Sequence, residues 1–401
     1  MSEWKEYKLG EVGQIVGGAT PSTKNPLNYD GNISWITPKD LSNYNGCFIS
    51  RGERMITTEG YNSCSCKMLP KGSILFSSRA PIGYIVIAAN ELCTNQGFKS
   101  VIPNKDVVDN IFLYYLLHYN KRKIEGLGSG TTFKEVSGSV MKNFPILLPS
   151  LHTQQKIAAV LSSLDNKIEV NRQISDNLEQ QAQALFKSWF VDFEPFKDGE
   201  FEESELGRIP KGWKVGTLGD ILKLKRDSIK KENKGKLPYL PIDIIPMHHL
   251  GIDRFGNSED AQSSLQKFSV NDIVIGAMRV YFHRVIIAPC DGITRNTCFV
   301  LEPQDKEYLY YSLLQCNQNE TISYANRTSK GSTMPYAVWK GALENYKILI
   351  PDFTTIHNFN KIVSPLIACI RDSYKEIQTL SQLRDTLLPK LMSGELKVNE
   401  I

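Results

Sequence analysis

Two long stretches of the chain carry apolar residues at helical spacing. In the first, residues 152–193, apolar side chains recur every three or four positions, which places them along one stripe of a helix. A second stretch, about 200 residues further on, repeats the spacing position for position. The two stripes are Ile157, Leu161, Leu164, Ile168, Leu178, Leu185 and Trp189, and Phe359, Val363, Leu366, Ile370, Leu380, Leu387 and Leu391. Because an exposed apolar stripe needs a partner, we predict two long helices that pair antiparallel as a coiled coil.

Polar residues interrupt both stripes at equivalent positions, Asn171 and Ser373. A buried polar residue in a coiled coil can fix the register of the two helices at some cost in stability. Alternatively, the stripe drifts around the helix there and both residues are exposed. The sequence leaves these two interpretations open.

The rest of the chain also repeats. Short strand-like runs around Ile74-Leu75-Phe76 are matched around Ile273-Val274-Ile275, and each is followed by an aromatic helix, a Gly-Ser-Thr loop and a strand that ends in proline. We therefore predict an α+β fold with an internal pseudo-two-fold repeat. It consists of two α/β domains at 1–150 and 213–351, long helices at 151–193 and 352–396, and a linker at 194–212.

Composition is that of an ordinary globular protein, with 41% hydrophobic residues, 22% charged residues and a formal net charge of +4. No apolar run approaches the roughly 20 residues that span a bilayer, and we expect a cytoplasmic protein. The close cysteine pair Cys64 and Cys66 has no second Cys or His group at zinc-site spacing, so no metal site is expected. His248-His249 is interpreted as a solvent-facing pair in a loop.

Common catalytic motifs are absent from the sequence. It has no G-x-x-x-x-G-K-[ST] phosphate loop, no H-E-x-x-H, no G-x-S-x-G and no glycine-rich dinucleotide-binding unit. The pattern favours a binding protein without a cofactor over an enzyme.

Two similar domains on a helical spacer suit a ligand with two separated sites, and duplex DNA is such a ligand. Arg, Lys, Asn, Gln, Ser and Thr, the side chains that read base edges and hold phosphates, recur at comparable places in both domains. Exposed loops are polar in any protein, and the basic run at 223–236 is equally compatible with a solvated loop. The candidates for DNA contact are Thr20, Ser22, Lys24, Arg79, Asn95, Gln96, Thr131, Thr132, Lys134, Arg226, Lys230, Lys231, Arg279, Arg284, Arg295, Asn296, Ser332 and Thr333.

Over almost its whole length the sequence resembles the specificity subunit of type I restriction-modification systems. The resemblance is carried by residues 4–10 with 17–22, 128–135, 149–151 with 154–157, and 205–213. Its strongest part is Leu185-Phe186-Lys187-Ser188-Trp189-Phe190-Val191-Asp192-Phe193. The second helix departs from the pattern because its start, 354–359, lacks the Gln-Gln-Lys-Ile of the first.

This resemblance implies two target-recognition domains separated by antiparallel helices, each domain reading one part of a split, asymmetric sequence of double-stranded DNA. It also implies that the helices dock two methylation subunits and, through them, the restriction subunits, while the chain itself has no catalytic site. The length of the helices would then set the gap between the half-sites. Two alternatives stay open: a self-sufficient DNA methyltransferase or nuclease, and a coiled-coil scaffold that does not bind DNA.

Overall fold

The computed structural model describes residues 4–42, 44–79, 81–130, 134–262 and 264–398. The chain forms two compact units. The first comprises Met1–Glu169 with Leu380–Ile401, and the second comprises Val170–Thr379. Each unit therefore contains one domain of the repeat together with a piece of both long helices.

Among the described residues, the first unit is built on short strands, on helices of which the longest continues into the second unit, and on the end of a helix from the second unit. The strands are β1 (Lys5–Lys8), β2 (Gly13–Gly17), β3 (Tyr29–Ile36), β4 (Phe48–Ile49), β5 (Met55–Ile56), β6 (Ile74–Phe76), β7 (Ile85–Ala88), β8 (Cys93–Thr94), β9 (Lys99–Pro103) and β10 (Pro145–Leu148). The helices are α1 (Leu9–Val12), α2 (Thr58–Asn62), α3 (Asn110–Gly126), α4 (Gly138–Asn143) and α5 (Leu151–Phe190). The strands form sheets in the orders β2-β9-β6-β7-β4, β5-β3-β8 and β1-β10.

The second unit repeats this arrangement. Its strands are β11 (Phe201–Ser204), β12 (Gly207–Pro210), β13 (Lys214–Thr217), β14 (Leu222–Leu224), β15 (Ser228–Ile229), β16 (Tyr239–Leu240), β17 (Leu265–Phe268), β18 (Ile273–Gly276), β19 (Val285–Ile287), β20 (Gly292–Arg295), β21 (Cys298–Pro303) and β22 (Lys347–Ile350). Its helices are α6 (Leu218–Ile221), α7 (Leu309–Cys316), α8 (Asn319–Arg327) and α9 (Phe353–Met392), the last of which ends in the first unit. The order β14-β21-β18-β19 reproduces β2-β9-β6-β7, and β13-β22 reproduces β1-β10. The segment predicted as a linker contains the β11-β12 hairpin.

Within the first unit, the start of α5 and the end of α9 share one core with the sheet. Ile157 and Leu161 of α5 are buried in the same cluster as Leu391 of α9. Further along α5, Asp165 accepts a hydrogen bond of 2.7 Å from Arg384 of α9, and the Tyr115 hydroxyl of α3 donates to the same carboxylate at 2.5 Å. Residue numbers therefore rise along α5 as they fall along α9, which is the predicted antiparallel pairing.

The second unit shows the same antiparallel pairing. Phe190 of α5 packs edge-on against Phe359 of α9, with ring centroids 4.7 Å apart. Asn171, at the other end of this segment, donates a hydrogen bond of 2.8 Å to Glu376. Asn171 and Ser373 are both buried, so the interpretation with buried polar positions is correct.

The buried stripe of α5 differs from the predicted one in its second half. Leu178, Leu185 and Trp189 are only half-buried, whereas one residue further along the helix the side chains are buried. The displaced positions are Glu179, Phe186 and Phe190, whereas Ala182 is buried as the helical spacing predicts. The stripe predicted from a seven-residue repeat drifts by about 20° per heptad on a straight helix, and the observed stripe follows the 3.6-residue turn instead. On α9 the buried residue is Ile367 rather than Leu366, while Val363 and Ile370 are buried as predicted.

Helix α9 begins at Phe353 and continues past both of its prolines to Met392. Pro365 and Pro389 both lie within this helix. Within the described ranges, no helix has an apolar stretch long enough to span a membrane.

Candidate nucleic-acid interface

Backbone hydrogen bonds in the first unit connect three of the loops that carry candidate residues. The Ala19 N–H donates to Thr94 at 3.0 Å, and the Ser78 N–H donates to Gly97 at 2.7 Å. The Val136 N–H in turn donates to Ser78 at 2.9 Å. The loop after β2, the turn between β8 and β9 and the segment after β6 are therefore held side by side.

Thr20 and Gln96 meet at this junction. The Thr20 hydroxyl donates a hydrogen bond to the Gln96 side-chain oxygen, and Gln96 is exposed. Asn95 uses its side-chain oxygen to accept from the Gly97 N–H at 2.9 Å, so it shapes the turn. Thr20, Asn95 and Gln96 thus form one polar surface.

Gly18 makes this junction possible. A Cβ at Gly18 would lie 2.1 Å from the Asn95 carbonyl oxygen and 2.2 Å from that of Thr94, whereas a Cβ at Gly17 would meet nothing within 4 Å. Only the second glycine of the Gly17-Gly18 pair is therefore required by close approach of the backbone.

Arg79 follows Ser78 at this junction, and its side chain forms an ion pair with Glu135. Glu135 accepts a hydrogen bond of 2.9 Å from Arg79 and one of 3.1 Å from Lys99. Partial burial opposes ionisation of Glu135, but these two cations outweigh it and lower the pKa of the carboxyl below its usual value. The Arg79 side chain is 46% exposed, so it can still reach a ligand while its charge is partly neutralised.

The second unit joins its corresponding loops in the same way. The Ala277 N–H donates to Thr297 at 2.8 Å, and the Ala337 N–H donates to Ala277 at 2.9 Å. The Tyr336 hydroxyl donates to the Asn296 carbonyl, and the Arg279 N–H donates to Pro335 at 2.7 Å. Arg279 and Asn296 are thereby brought to one surface, next to Arg295 at the end of β20.

The two arginines that follow β6 and β18 are not at the same structural position. Arg79 forms a β-bridge with Glu135, whereas the corresponding bridge in the second unit joins Met278 to Tyr336. Arg279 is one residue further along and adopts a left-handed backbone conformation with φ of 51°. The match between these arginines is therefore one of sequence order, offset by one residue in the sheet register.

In both units a loop is closed at its base by a matching pair of backbone hydrogen bonds. Ser129 and Glu135 exchange two backbone hydrogen bonds of 3.0 and 2.9 Å, and Lys330 and Tyr336 exchange two of 2.9 and 2.8 Å. The candidates Lys134, Ser332 and Thr333 lie on these loops and are exposed, whereas Thr131 and Thr132 lie outside the described residues.

The Arg284 side chain is held by contacts within its own domain. Its guanidinium donates to the Ile242 carbonyl and lies 5.2 Å from the centre of the Phe282 ring. Burial lowers the pKa of Arg284, and its Nε is buried without a hydrogen-bond partner among the described residues. These contacts fix Arg284 within the fold.

The basic run at 223–236 divides into paired and exposed residues. Lys225 lies 2.8 Å from Asp272, and Lys234 donates to backbone carbonyls. Four further basic side chains of this run are exposed and have no ion-pair partner within the described ranges: Lys236 and three candidates for DNA contact. These candidates are Arg226, Lys230 and Lys231. Ser22 and Lys24 in the first unit are exposed as well.

Sequence reasoning did not select Lys99, Glu135 or Tyr336. Glu135 and Tyr336 bind candidate residues, and Lys99 binds Glu135. Glu135 lies in the 128–135 segment that carries the family resemblance, whereas Lys99 and Tyr336 belong to no motif with a recognisable spacing. Lys99 lies on β9, and its partner Glu135 is 36 residues away in the sequence.

Comparisons with known proteins agree with this repeat. The family model described as the type I restriction modification DNA specificity domain matches residues 1–180 and 210–382. The type I restriction enzyme MjaIX specificity subunit of Methanocaldococcus jannaschii is 39% identical, and the alignment covers 100% of this chain and 95% of that protein. The HindI specificity subunit of Haemophilus influenzae is 24% identical, with 99% of this chain and 100% of that protein covered.

A crystal structure of a type I restriction-modification system S subunit from M. genitalium has a TM-score of 0.58 at 19% identity, covering 97% of this chain and 96% of that one. This likeness and the two matched segments confirm the predicted fold class of two α/β domains and two long antiparallel helices in an internal repeat. The chain belongs to the type I restriction-modification DNA specificity family.

Proposed function

We propose that this chain is the DNA-recognition subunit of a type I restriction-modification complex. It recognises a bipartite, asymmetric sequence in double-stranded DNA and positions two methylation subunits and, through them, restriction subunits on that sequence. The observation that carries the proposal is the presence, in each of two similar units, of polar loops joined by matching backbone hydrogen bonds. The family membership supports the same function.

The difference between the two surfaces supports an asymmetric target. Glu135, with its two cations, stands where the second unit has Tyr336, and Ser129 stands where it has Lys330. A carboxylate and a phenol offer different hydrogen-bonding groups to a base edge, so the two surfaces favour different half-sites.

Arg279 is the proposed main contact of the second unit. Replacing Arg279 with Ala should weaken binding to the second half-site by about 1–3 kcal/mol if the guanidinium makes a bidentate contact with a base. Arg254 is an exposed arginine of the same unit outside the candidate residues, and Arg254→Ala is the matched control.

The test uses the complex with its methylation subunits. Mapping of adenine methylation in host DNA first identifies the split target, and competition binding with each half-site mutated then localises the effect. If the Arg279→Ala and Arg254→Ala complexes bind the DNA target with equal affinity, Arg279 does not contact the DNA. Loss of selectivity at the first half-site alone would contradict the assignment of the units to half-sites.

Measurements on the purified chain and on the assembled complex separate the two rival functions. A self-sufficient enzyme would bind S-adenosylmethionine or cut DNA as the purified chain, whereas the proposal assigns both activities to partner subunits. A scaffold would assemble with those subunits without conferring sequence selectivity.

The proposal also retains helix length as the determinant of the gap between the two half-sites. Four residues added to each long helix, about 6 Å, should shift the preferred gap by about two base pairs.

A further inference from the structure

Three potential metal ligands converge in the second unit. Asp176 and Glu179 stand three residues apart on α5 and face the loop that carries His249. The His249 Nδ1 atom lies 3.2 Å from Glu179 Oε2 and 3.3 Å from Asp176 Oδ1, and the three ligand atoms all lie within 4.8 Å of one another. Among the residues that the structure describes, this is the one such group of His, Cys, Asp and Glu.

The spacing of these atoms suits a shared cation as well as a hydrogen bond. A charge-assisted hydrogen bond from an imidazolium to a carboxylate is about 2.7–2.9 Å long, and Nδ1 carries a single hydrogen. Here two carboxylate oxygens stand at nearly equal, longer distances from Nδ1. Ligands bound tetrahedrally at about 2.0–2.1 Å from a zinc ion are about 3.3 Å apart, which matches both distances.

The surroundings orient the ligands. The Leu250 N–H donates to Glu179 Oε1 at 2.8 Å, so the other carboxylate oxygen is directed at His249. Such a hydrogen bond to the far side of a ligand is typical of metal sites. The loop reaches the helices because Gly251 has no side chain: a Cβ there would lie 2.1 Å from the ring of Tyr374 on α9.

The local charge also favours a cation. Asp176, Glu179 and the nearby Asp253 supply three carboxylates, and Arg172, 3.6 Å from Asp253, supplies one neighbouring guanidinium. The Glu179 side chain is 8% exposed, whereas those of Asp176 and His249 are 46% and 39% exposed. A cation can therefore enter from solvent and keep water in its remaining coordination positions.

We propose that Asp176, Glu179 and His249 bind one divalent transition-metal ion that fastens the His249 loop of the second unit to helix α5. One imidazole nitrogen and two carboxylate oxygens form a mixed set that suits Zn²⁺ and leaves a fourth position for water. The bound ion links two segments of the second unit that are about 70 residues apart in sequence and stabilises their contact.

The test is titration of the full-length, EDTA-dialysed chain with ZnCl₂ by calorimetry, together with thermal unfolding with and without Zn²⁺. The wild-type chain should bind one Zn²⁺ at this site and unfold at a higher temperature in its presence. Asp176→Asn and His249→Gln should each lower the affinity at least tenfold and remove the thermal shift. His152→Gln, which changes an exposed histidine in the first unit, should leave both unchanged.

Co²⁺ absorption separates this site from the cysteines of the chain. Binding through nitrogen and oxygen gives weak ligand-field bands that Asp176→Asn abolishes, whereas binding through thiolates gives intense charge-transfer bands. Asp176 is half-exposed, so Asp176→Asn keeps the test decisive if His249→Gln fails to fold. The proposal is overturned if the wild-type chain takes up no Zn²⁺, or if its Zn²⁺ affinity is unaffected by Asp176→Asn.

Discussion

Replacing Gly18 with Ala should disrupt the candidate DNA surface of the first unit, and Gly17→Ala should not. The added Cβ at position 18 falls 2.1 and 2.2 Å from two carbonyl oxygens, whereas ordinary contacts begin at about 3.4 Å, so the loop must move by about 1 Å. At position 17 the added Cβ meets nothing within 4 Å. The two substitutions are chemically identical and adjacent, so the comparison isolates the steric effect.

The cost follows from the contacts that the shift breaks. The Ala19 N–H loses its 3.0 Å hydrogen bond to Thr94, and the Ala19 carbonyl loses the Trp35 indole N–H, 3.1 Å away. Each bond contributes about 0.5–1.5 kcal/mol, and forcing atoms into a packed site costs about 1–3 kcal/mol when the structure relaxes. We therefore expect a loss of roughly 2–6 kcal/mol in the free energy of unfolding of the first unit.

The assay is calorimetric unfolding of the two variants beside the wild-type chain, followed by half-site competition in the assembled complex. Gly18→Ala should lower the unfolding temperature of the first unit by about 2–4 °C for each kcal/mol lost and reduce selectivity at the first half-site. Gly17→Ala should stay near the wild-type values. If the two variants unfold and select DNA alike, the argument that Gly18 holds the loop against Thr94 and Asn95 is refuted.

Two polar residues, the half-buried His118 and the buried Asn171, give pH-dependent predictions. Burial, with a smaller contribution from Lys121, lowers the pKa of His118 in the folded chain to about 4. In the unfolded chain the pKa of a histidine is about 6.5, so the unfolded chain binds a proton first as the pH falls. Up to about 3 kcal/mol of stability should therefore be lost between pH 6.5 and 4. Urea unfolding of His118→Gln should show a flatter acid limb, and an unchanged limb would contradict the assignment. Asn171→Asp would place a second carboxylate where the amide now lies 2.8 Å from Glu376, so it should destabilise the second unit by roughly 1–3 kcal/mol at pH 8 and less at pH 5. Thermal unfolding at the two pH values measures this, with Asn171→Gln as the uncharged control.

The repeat and its helices were predictable because they depend on local periodicity. Apolar residues at helical spacing predicted both long helices, and Val363 and Ile370 are buried as expected. The exact stripe was less predictable: Leu185 and Phe186 are both apolar, and only packing decides which one faces the partner helix. Phe186 is buried and Leu185 is half-exposed.

The site residues were harder to predict because their partners are distant in sequence. Arg79 was selected from its position after a strand, but its ion pair with Glu135 depends on a β-bridge across 56 residues. His249 was interpreted as solvent-facing, and this was wrong in part, because Asp176 and Glu179 on α5 lie within 3.3 Å of its ring nitrogen. No spacing rule connects a loop histidine with two helix carboxylates that far upstream.

The one-residue offset between Arg79 and Arg279 sets a rule for building chimeric proteins. A graft that exchanged the segments after β6 and β18 with their arginines superposed would shift one strand end by a residue, and a shift of one residue turns every side chain to the opposite face. Junctions placed where Ser78 corresponds to Ala277 would instead keep the bonds to Gly97 and Thr297. New specificities made by recombining these domains should therefore be designed on sheet register rather than on aligned arginines.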